Sequence, residues 1–289
     1  MSGLILLVSC IVQKTWVCMY KKLTSLILIF FSQFALSSTV GPVPWQLDLQ
    51  PAATPVMEKF EQFHNYLLIM CFVIAGFVLL LIAYVCIRFR RSANPVPSKT
   101  THNVLIEIIW TAVPALILVA LIVPSIQSLK LAEQNVQADL TLKVIGNQWY
   151  WSYEYDLPDQ TKVAFDSYII KDSDLKPGQS RLHEVDNQVV LPVDTNVRVL
   201  ITARDVIHSW GVPAFGVKKD AIPGRTNETW MRITKPGIYF GHCYELCGVN
   251  HGFMPIVVNA VSREEFDEWV KSAKVKFASL APSILLARK

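Results

Sequence analysis

Residues 66–87 form a run of 22 without a charged side chain, nearly all of them apolar. A helix rises ~1.5 Å per residue, so the run matches the ~30 Å hydrocarbon core of a bilayer. Only a helix or a closed barrel satisfies its own backbone there. Thr54-Pro55, upstream, is a helix start, with Thr as N-cap and Pro at the first helical position. A second run, residues 104–126, is interrupted only by Glu107, with Pro114 and Pro124 expected to kink it. The short connection carries Arg88, Arg90, Arg91 and Lys99 and no acid, which places it in the cytoplasm. The two spans make a transmembrane hairpin. The N-terminal segment and everything after Lys130 then lie on the outer side.

The N-terminus agrees. Lys21 and Lys22 precede the apolar run 23–31 and then SQFALSS (residues 32–38), which reads as a secretory signal cut after Ser37 or Ser38. Residues 1–38 thus hold a signal peptide that is clear from Met19 and an N-terminus, residues 1–18, whose pattern assigns it no role, with Met19 an alternative start. A third membrane helix would be short. A lipoprotein-like cut at LVSC (7–10) lacks its basic lead. Residues 39–130 hold a Pro-rich segment and the hairpin.

After Lys130 the apolar period changes to two. Leu140, Leu142 and Val144 alternate, and strand-like runs follow near 163–170, 188–191, 196–202, 229–233, 237–241 and 255–261. Lys-Pro-Gly at 176–178, Pro-Gly at 223–224 and Lys-Pro-Gly at 235–237 separate them as turns. Many short strands at such spacing make a sandwich or Greek-key barrel. Ser262-Arg-Glu-Glu265 is a capping box for a closing helix that carries Phe266 and Trp269. The all-β domain spans 131–272, and 273–289 is a basic tail. Residues 131–271 hold 19 acidic against 14 basic side chains, while the rest of the chain is basic. That split argues against nucleic acid and suggests a basic partner for the outer domain.

The chemistry concentrates in GHCYELCGVNHGFMP, residues 241–255. Cys243, Cys247, His251 and Met254 stand at offsets of four, four and three. Thiolates, imidazole and thioether together suit copper. A ligand from outside the loop is needed, and His208 in VIHSW is the candidate. A disulfide would explain the cysteines alone but not the His and Met. Zinc has no use for Met, and a blue-copper site uses one Cys. Two thiolates can bridge two metals, each completed by one His. The other four cysteines, Cys10, Cys18, Cys71 and Cys86, sit in apolar segments and read as small hydrophobes. No P-loop, GxGxxG or Cys-x-x-Cys-His is present.

This loop, the upstream DVIHSWGVP (205–213), the aromatic run NQWYWSYEY (147–155) and the hairpin resemble the cytochrome c oxidase subunit II family over about residues 51–269. The resemblance implies a two-helix hairpin followed by a cupredoxin-like Greek-key barrel holding a binuclear copper centre, CuA. It implies that Cys243 and Cys247 bridge the coppers, that His208 and His251 each ligate one, and that Met254 and the Glu245 carbonyl complete them. The Glu245 carboxylate would reach a magnesium ion shared with catalytic subunit I. The family loop usually has Gln and Ser where this chain has His242 and Tyr244, neither of them a ligand position.

By the same resemblance Trp149 is where electrons arrive from cytochrome c, and Tyr150 carries them toward copper. The usual His at position 147 is Asn. Strand alternation alone would put Trp149 and Trp151 on one face and leave any of these aromatics as core filling. Docking carboxylates would be Glu154, Asp186 and Asp205, with Asp156 nearby. Glu107, one turn inside the second span, resembles the mouth of a proton pathway into the catalytic subunit. An interfacial carboxylate that reaches water is the plainer reading. His64, His102 and His183 have no partners at metal-ligand spacing. The implied protein sits in a bacterial inner membrane with its C-terminal domain periplasmic, and works with other oxidase subunits to reduce oxygen and translocate protons. A quinol oxidase subunit would lack the two cysteines. Nitrous oxide reductase would be soluble and longer, and a membrane-anchored copper carrier would have no use for the aromatic run.

Overall fold

The computed structural model describes residues 39–277 apart from Pro158 and Gln160. The expected signal peptide and the tail beyond Phe277 lie outside the described residues. Helix α1 spans Pro55–Arg88 and α2 spans Val104–Ala132. Thr54 caps α1 by accepting from the Met57 N–H, and Asn103 caps α2 by accepting from the Ile106 N–H. Pro114 and Pro124 lie within α2. Both helices outrun a bilayer. At 34 residues α1 is about 51 Å long against a ~30 Å core.

The surplus docks on the outer domain. Val56 and Met57 are buried, Thr54 Oγ1 donates to the Phe215 carbonyl, and Ala53 N–H donates to that of Ala214. At the far end of α2, Trp230 Nε1 donates to the Leu131 carbonyl and Lys219 pairs with Glu133 at 3.0 Å. Along the spans proper the apolar side chains are exposed, Phe72, Phe77 and Leu116 among them, as a lipid- or partner-facing surface requires.

Among the described residues, eleven strands form two sheets. One sheet runs β4 (Lys162–Ser167), β3 (Tyr150–Asp156), β2 (Leu140–Asn147), β6 (Val197–Ala203), β9 (Asn227–Met231). The other runs β5 (Val189–Pro192), β11 (Ile256–Val261), β10 (Gly237–Cys243), β7 (His208–Val212), β8 (Val217–Ala221). The short β1 (Thr39–Val40) adds to β10 in parallel. The β2–β6 and β5–β11 pairs are also parallel and the rest antiparallel. Parallel pairs between strands distant in sequence mark crossing connections, so this is a Greek-key sandwich of the cupredoxin type. Its core is apolar and fully enclosed, with Leu142, Val144, Tyr153, Tyr155, Phe165 and Ile201 from one sheet facing Trp210, Tyr239, Ile256 and Val258 from the other.

The domain ends later than expected. Helix α3 spans Arg263–Lys276 behind the capping box, and Ala273 and Phe277 are buried. Phe277 stacks on Phe165 with centroids 4.9 Å apart. Residues 273–277 therefore belong to the barrel and not to a tail.

Candidate metal centre

Adjacent strand ends build the site. His208 is the first residue of β7 and Cys243 the last of β10, and the strands pair with Cys243 opposite Trp210. The β10–β11 connection then carries Glu245, Cys247, His251 and Met254 in a loop that closes through a 3-10 turn at His251–Phe253. His208 is fully buried, its ring edge-on to Trp151. Gly146 on β2 makes room for it, since a Cβ there would lie 2.8 Å from the imidazole.

The donors expected from the sequence converge. Cys243 and Cys247 are buried free thiols with sulfurs 3.9 Å apart. His208 Nδ1 lies 4.0 Å from the Cys243 sulfur, and His251 Nδ1 lies 3.5 Å from that of Cys247. Met254 Sδ is 3.5 Å from the Cys247 sulfur, and the Glu245 carbonyl is 3.3 Å from that of Cys243. The ligand atoms of His208, Cys243 and Cys247 all fall within 4.8 Å of one another. Each imidazole thus faces a different thiol. A soft, mixed sulfur–nitrogen set held by two strand ends and one loop suits copper.

Charge is arranged to hold that set. Burial opposes ionisation of Cys243, but the His208 ring and the backbone around it outweigh burial and lower its pKa. Cys247 is pushed up, first by burial and then by the neighbouring Cys243. Burial also works against protonation of His208, and Cys243 and Asp205 overcome it. Asp205 Oδ1 accepts from His208 Nε2 at 2.9 Å, which leaves Nδ1 as the nitrogen aimed at the sulfurs.

Further contacts that spacing could not reveal fix the loop. Gln148 Nε2 and Trp149 Nε1 both donate to the Cys247 carbonyl, at 2.8 and 3.2 Å. Trp151 Nε1 donates to the Met254 carbonyl at 3.1 Å. A fully buried indole N–H needs a partner, the one hint in the sequence that Trp151 would reach the loop. Gly248 has φ +124°, and a Cβ on it would lie 2.9 Å from the Trp149 ring. Trp149 is half-buried against the loop, and Tyr150 stacks on Tyr168 at 4.4 Å.

The remaining expected residues scatter. Asp186 is exposed and accepts from the Tyr168 N–H. Asp205 keeps a third of its side chain exposed while holding His208 and the Gln148 N–H. Glu154 differs from an open docking carboxylate. It is buried and sits across from Lys143 at 3.6 Å, because β3 lies between β2 and β4 and the register sets the two side chains opposite each other. Asp156 is exposed and pairs with Lys162. Glu107 stands in the first turn of α2, at the opposite end of that helix from the outer domain. His242 is turned away from the sulfurs and meets His183.

Two family models match the chain, the periplasmic domain of cytochrome c oxidase subunit II over residues 140–261 and its transmembrane domain over residues 42–128. A probable cytochrome c oxidase subunit 2 of Rickettsia bellii is 54% identical over 245 residues, covering 85% of this chain and 90% of that protein. The cytochrome c oxidase subunit 2 of Phytophthora megasperma is 49% identical over 238 residues, covering 81% and 89%. Among solved structures, the periplasmic domain of subunit II of the Bradyrhizobium japonicum cytochrome oxidase is 51% identical, covers 50% of this chain and 99% of that one, and has a TM-score of 0.46.

Proposed function

Since the chain belongs to the cytochrome c oxidase subunit II family and so is a subunit of a haem–copper oxidoreductase, we propose that it receives electrons from cytochrome c at a binuclear copper centre and passes them to haem in subunit I. The observation that carries the reading is the pairing of each imidazole with its own thiol, His208 with Cys243 and His251 with Cys247, at sulfurs 3.9 Å apart. Cys243 and Cys247 would bridge two coppers, His208 and His251 would complete one each, and Met254 and the Glu245 carbonyl would be weaker ligands. When bound, such a pair supplies a one-electron redox centre that works without making or breaking a substrate bond.

The protein's own residues supply position and path. Asp205 orients His208. Trp151 pins the Met254 carbonyl and Gln148 pins that of Cys247. Trp149, half-exposed and hydrogen-bonded to the Cys247 carbonyl, offers a surface indole one contact from the thiols, with Tyr150 beside it. Asp186 and Asp205 supply surface charge for a basic cytochrome c. The exposed Glu245 carboxylate would hold magnesium at the boundary with subunit I. Glu107, at the cytoplasmic end of α2, would admit protons to subunit I, where oxygen is reduced to water and protons are translocated. Residues 1–38 would direct export, and the hairpin would sit in a bacterial inner membrane with the barrel periplasmic.

Metal analysis and electron paramagnetic resonance of the copper-loaded chain, stripped of exchangeable ions by a weak chelator, test the centre. Two coppers per chain sharing one unpaired electron are expected, with the shared signal lost in Cys247→Ser. A single-copper, blue-type spectrum would reject the assignment.

A further inference from the structure

On the face of β10 opposite Cys243, a second pair of histidines comes together. Successive residues of a strand point to opposite sides. Cys243 turns toward His208, so His242 turns away, onto the side it shares with Phe240. There its ring meets that of His183, from the turn between β4 and β5, with centroids 5.0 Å apart and planes at 71°. Phe240 packs on the same His183 ring at 5.6 Å. Fifty-nine positions separate the two histidines, so no spacing motif could have announced the pair.

The hydrogen bonding of His183 favours metal ligation. Its Nδ1 lies 2.9 Å from the Arg181 carbonyl, which can only accept. Nδ1 therefore carries the proton, and Nε2 keeps its lone pair. Ser180 Oγ stands 3.2 Å from the same Nδ1. A carbonyl on one ring nitrogen that fixes the tautomer and frees the other is the usual support of a metal-bound imidazole. The ring separation also fits. Two imidazoles bound at ~2.0–2.1 Å with a tetrahedral angle between them place their centroids roughly 5 Å apart. Both side chains are only half-buried, so an ion and its waters have access.

We propose that His183 and His242 form a second metal site, which takes a divalent late first-row ion such as zinc, nickel or copper(II) with water in its remaining positions. Imidazole nitrogen suits these ions, whereas magnesium and calcium require oxygen. Among the described residues, His208, Cys243 and Cys247 form the one group of three or more protein ligands. The His183–His242 site is accordingly open and exchangeable. An ion held there stands one residue from Cys243, on the other side of the strand that carries it.

The test uses the full-length, copper-loaded chain in detergent, stripped of exchangeable ions by a weak chelator, so that the thiol loop is filled and the histidine pair is empty. Zinc uptake is measured by equilibrium dialysis, and the visible and paramagnetic spectra of the copper are followed throughout. One zinc per chain beyond the copper is expected, with affinity falling at least tenfold in His242→Gln and in His183→Ala and unchanged in His64→Ala. The copper spectra should survive in all three variants, and that readout separates failure of this site from failure of the copper centre. Retention of parental zinc affinity in both His183→Ala and His242→Gln, or no zinc bound beyond the copper, overturns the proposal. Copper-loaded spectra also report folding, and His183→Gln gives a second variant at the loop position.

Discussion

Asp205 joins two functions in one carboxylate. One oxygen accepts a hydrogen bond from His208 Nε2 and the other from the Gln148 N–H, so a single side chain ties the His208 ring to the turn that carries Trp149. Burial works against its charge, yet the bonds from His208, Val206 and Gln148 hold its pKa below the ordinary carboxylate value. Outer partners of metal-bound histidines are worth roughly 10–100-fold in metal affinity. Asp205→Asn should lose copper to a chelator at roughly 10–100-fold lower chelator activity, measured by competition titration. Unchanged retention would reduce the contact to a bystander. Trp149 makes a different demand. Trp149→Phe removes the Nε1 bond to the Cys247 carbonyl but no charge. Electron transfer from bound cytochrome c should fall on the order of tenfold or more, a rise of at least about 1.4 kcal/mol in barrier, with association and its salt dependence intact. Stopped-flow kinetics at several ionic strengths separate the two effects. A wild-type transfer rate would return Trp149 to the core.

Among the elements, strands rich in alternating apolar residues were legible and those shaped by the site were not. Strands β2, β6 and β10 follow the patterns of Leu140–Leu142–Val144, of 196–202 and of 237–241. Strand β7 reads His-Ser-Trp-Gly-Val and is buried at every position, so no alternation exists to find. Strand β8 reads Val-Lys-Lys-Asp-Ala and pairs only on its β7 side within its sheet, and its three central charged residues conceal it. Helix α3 was announced by its capping box, but its end was hidden because Lys274 and Lys276 resemble a tail. Lys274 reaches Asp159 at 2.6 Å and Phe277 stacks on Phe165. Phe277→Ala should cost about 3 kcal/mol, within the range for losing a buried aromatic, seen as a lower midpoint in denaturant. Retention of parental stability would make the last turn of α3 dispensable. The ion pair has its own pH signature. Lys274 foremost, with Thr161, lowers the Asp159 pKa to about 2 from 3.8. A depressed carboxylate stabilises above its unfolded pKa and loses that contribution as pH falls through the folded value. The stability gap between wild type and Lys274→Met should therefore be full at pH 5 and close as pH falls from about 4 to 2. A gap that stays constant over that window would mean that the pair contributes through packing alone.

Across the whole molecule the two long helices do more than anchor. Both continue past the bilayer and grip the barrel, α1 through Thr54 on the Phe215 carbonyl and α2 through the Leu131 carbonyl on Trp230. The metal loop is thereby held at a set distance from the membrane, with Leu246 and Val249 largely exposed at its tip. Apolar residues at a loop tip supply short-range contact for a partner but no attraction from afar. Long-range attraction must come from charge, and the outer region of residues 131–271 carries a net −5. Steering of this kind raises the association rate of a basic partner and is screened over ~8–10 Å at physiological salt. Asp186 is the carboxylate with which to isolate the effect, because it is exposed and accepts from the Tyr168 backbone, whereas Asp205 holds His208 and Glu154 is buried. Asp186→Asn should slow association of cytochrome c severalfold at low ionic strength and hardly at all above physiological salt. The transfer rate within the bound complex should stay as it was, the reverse of Trp149→Phe. If association is equally fast at every salt concentration, the partner docks away from Asp186 or is not basic. If instead the bound-state rate falls as well, Asp186 acts through Tyr168 on the stacked Tyr150, and charge is the smaller part of what it contributes.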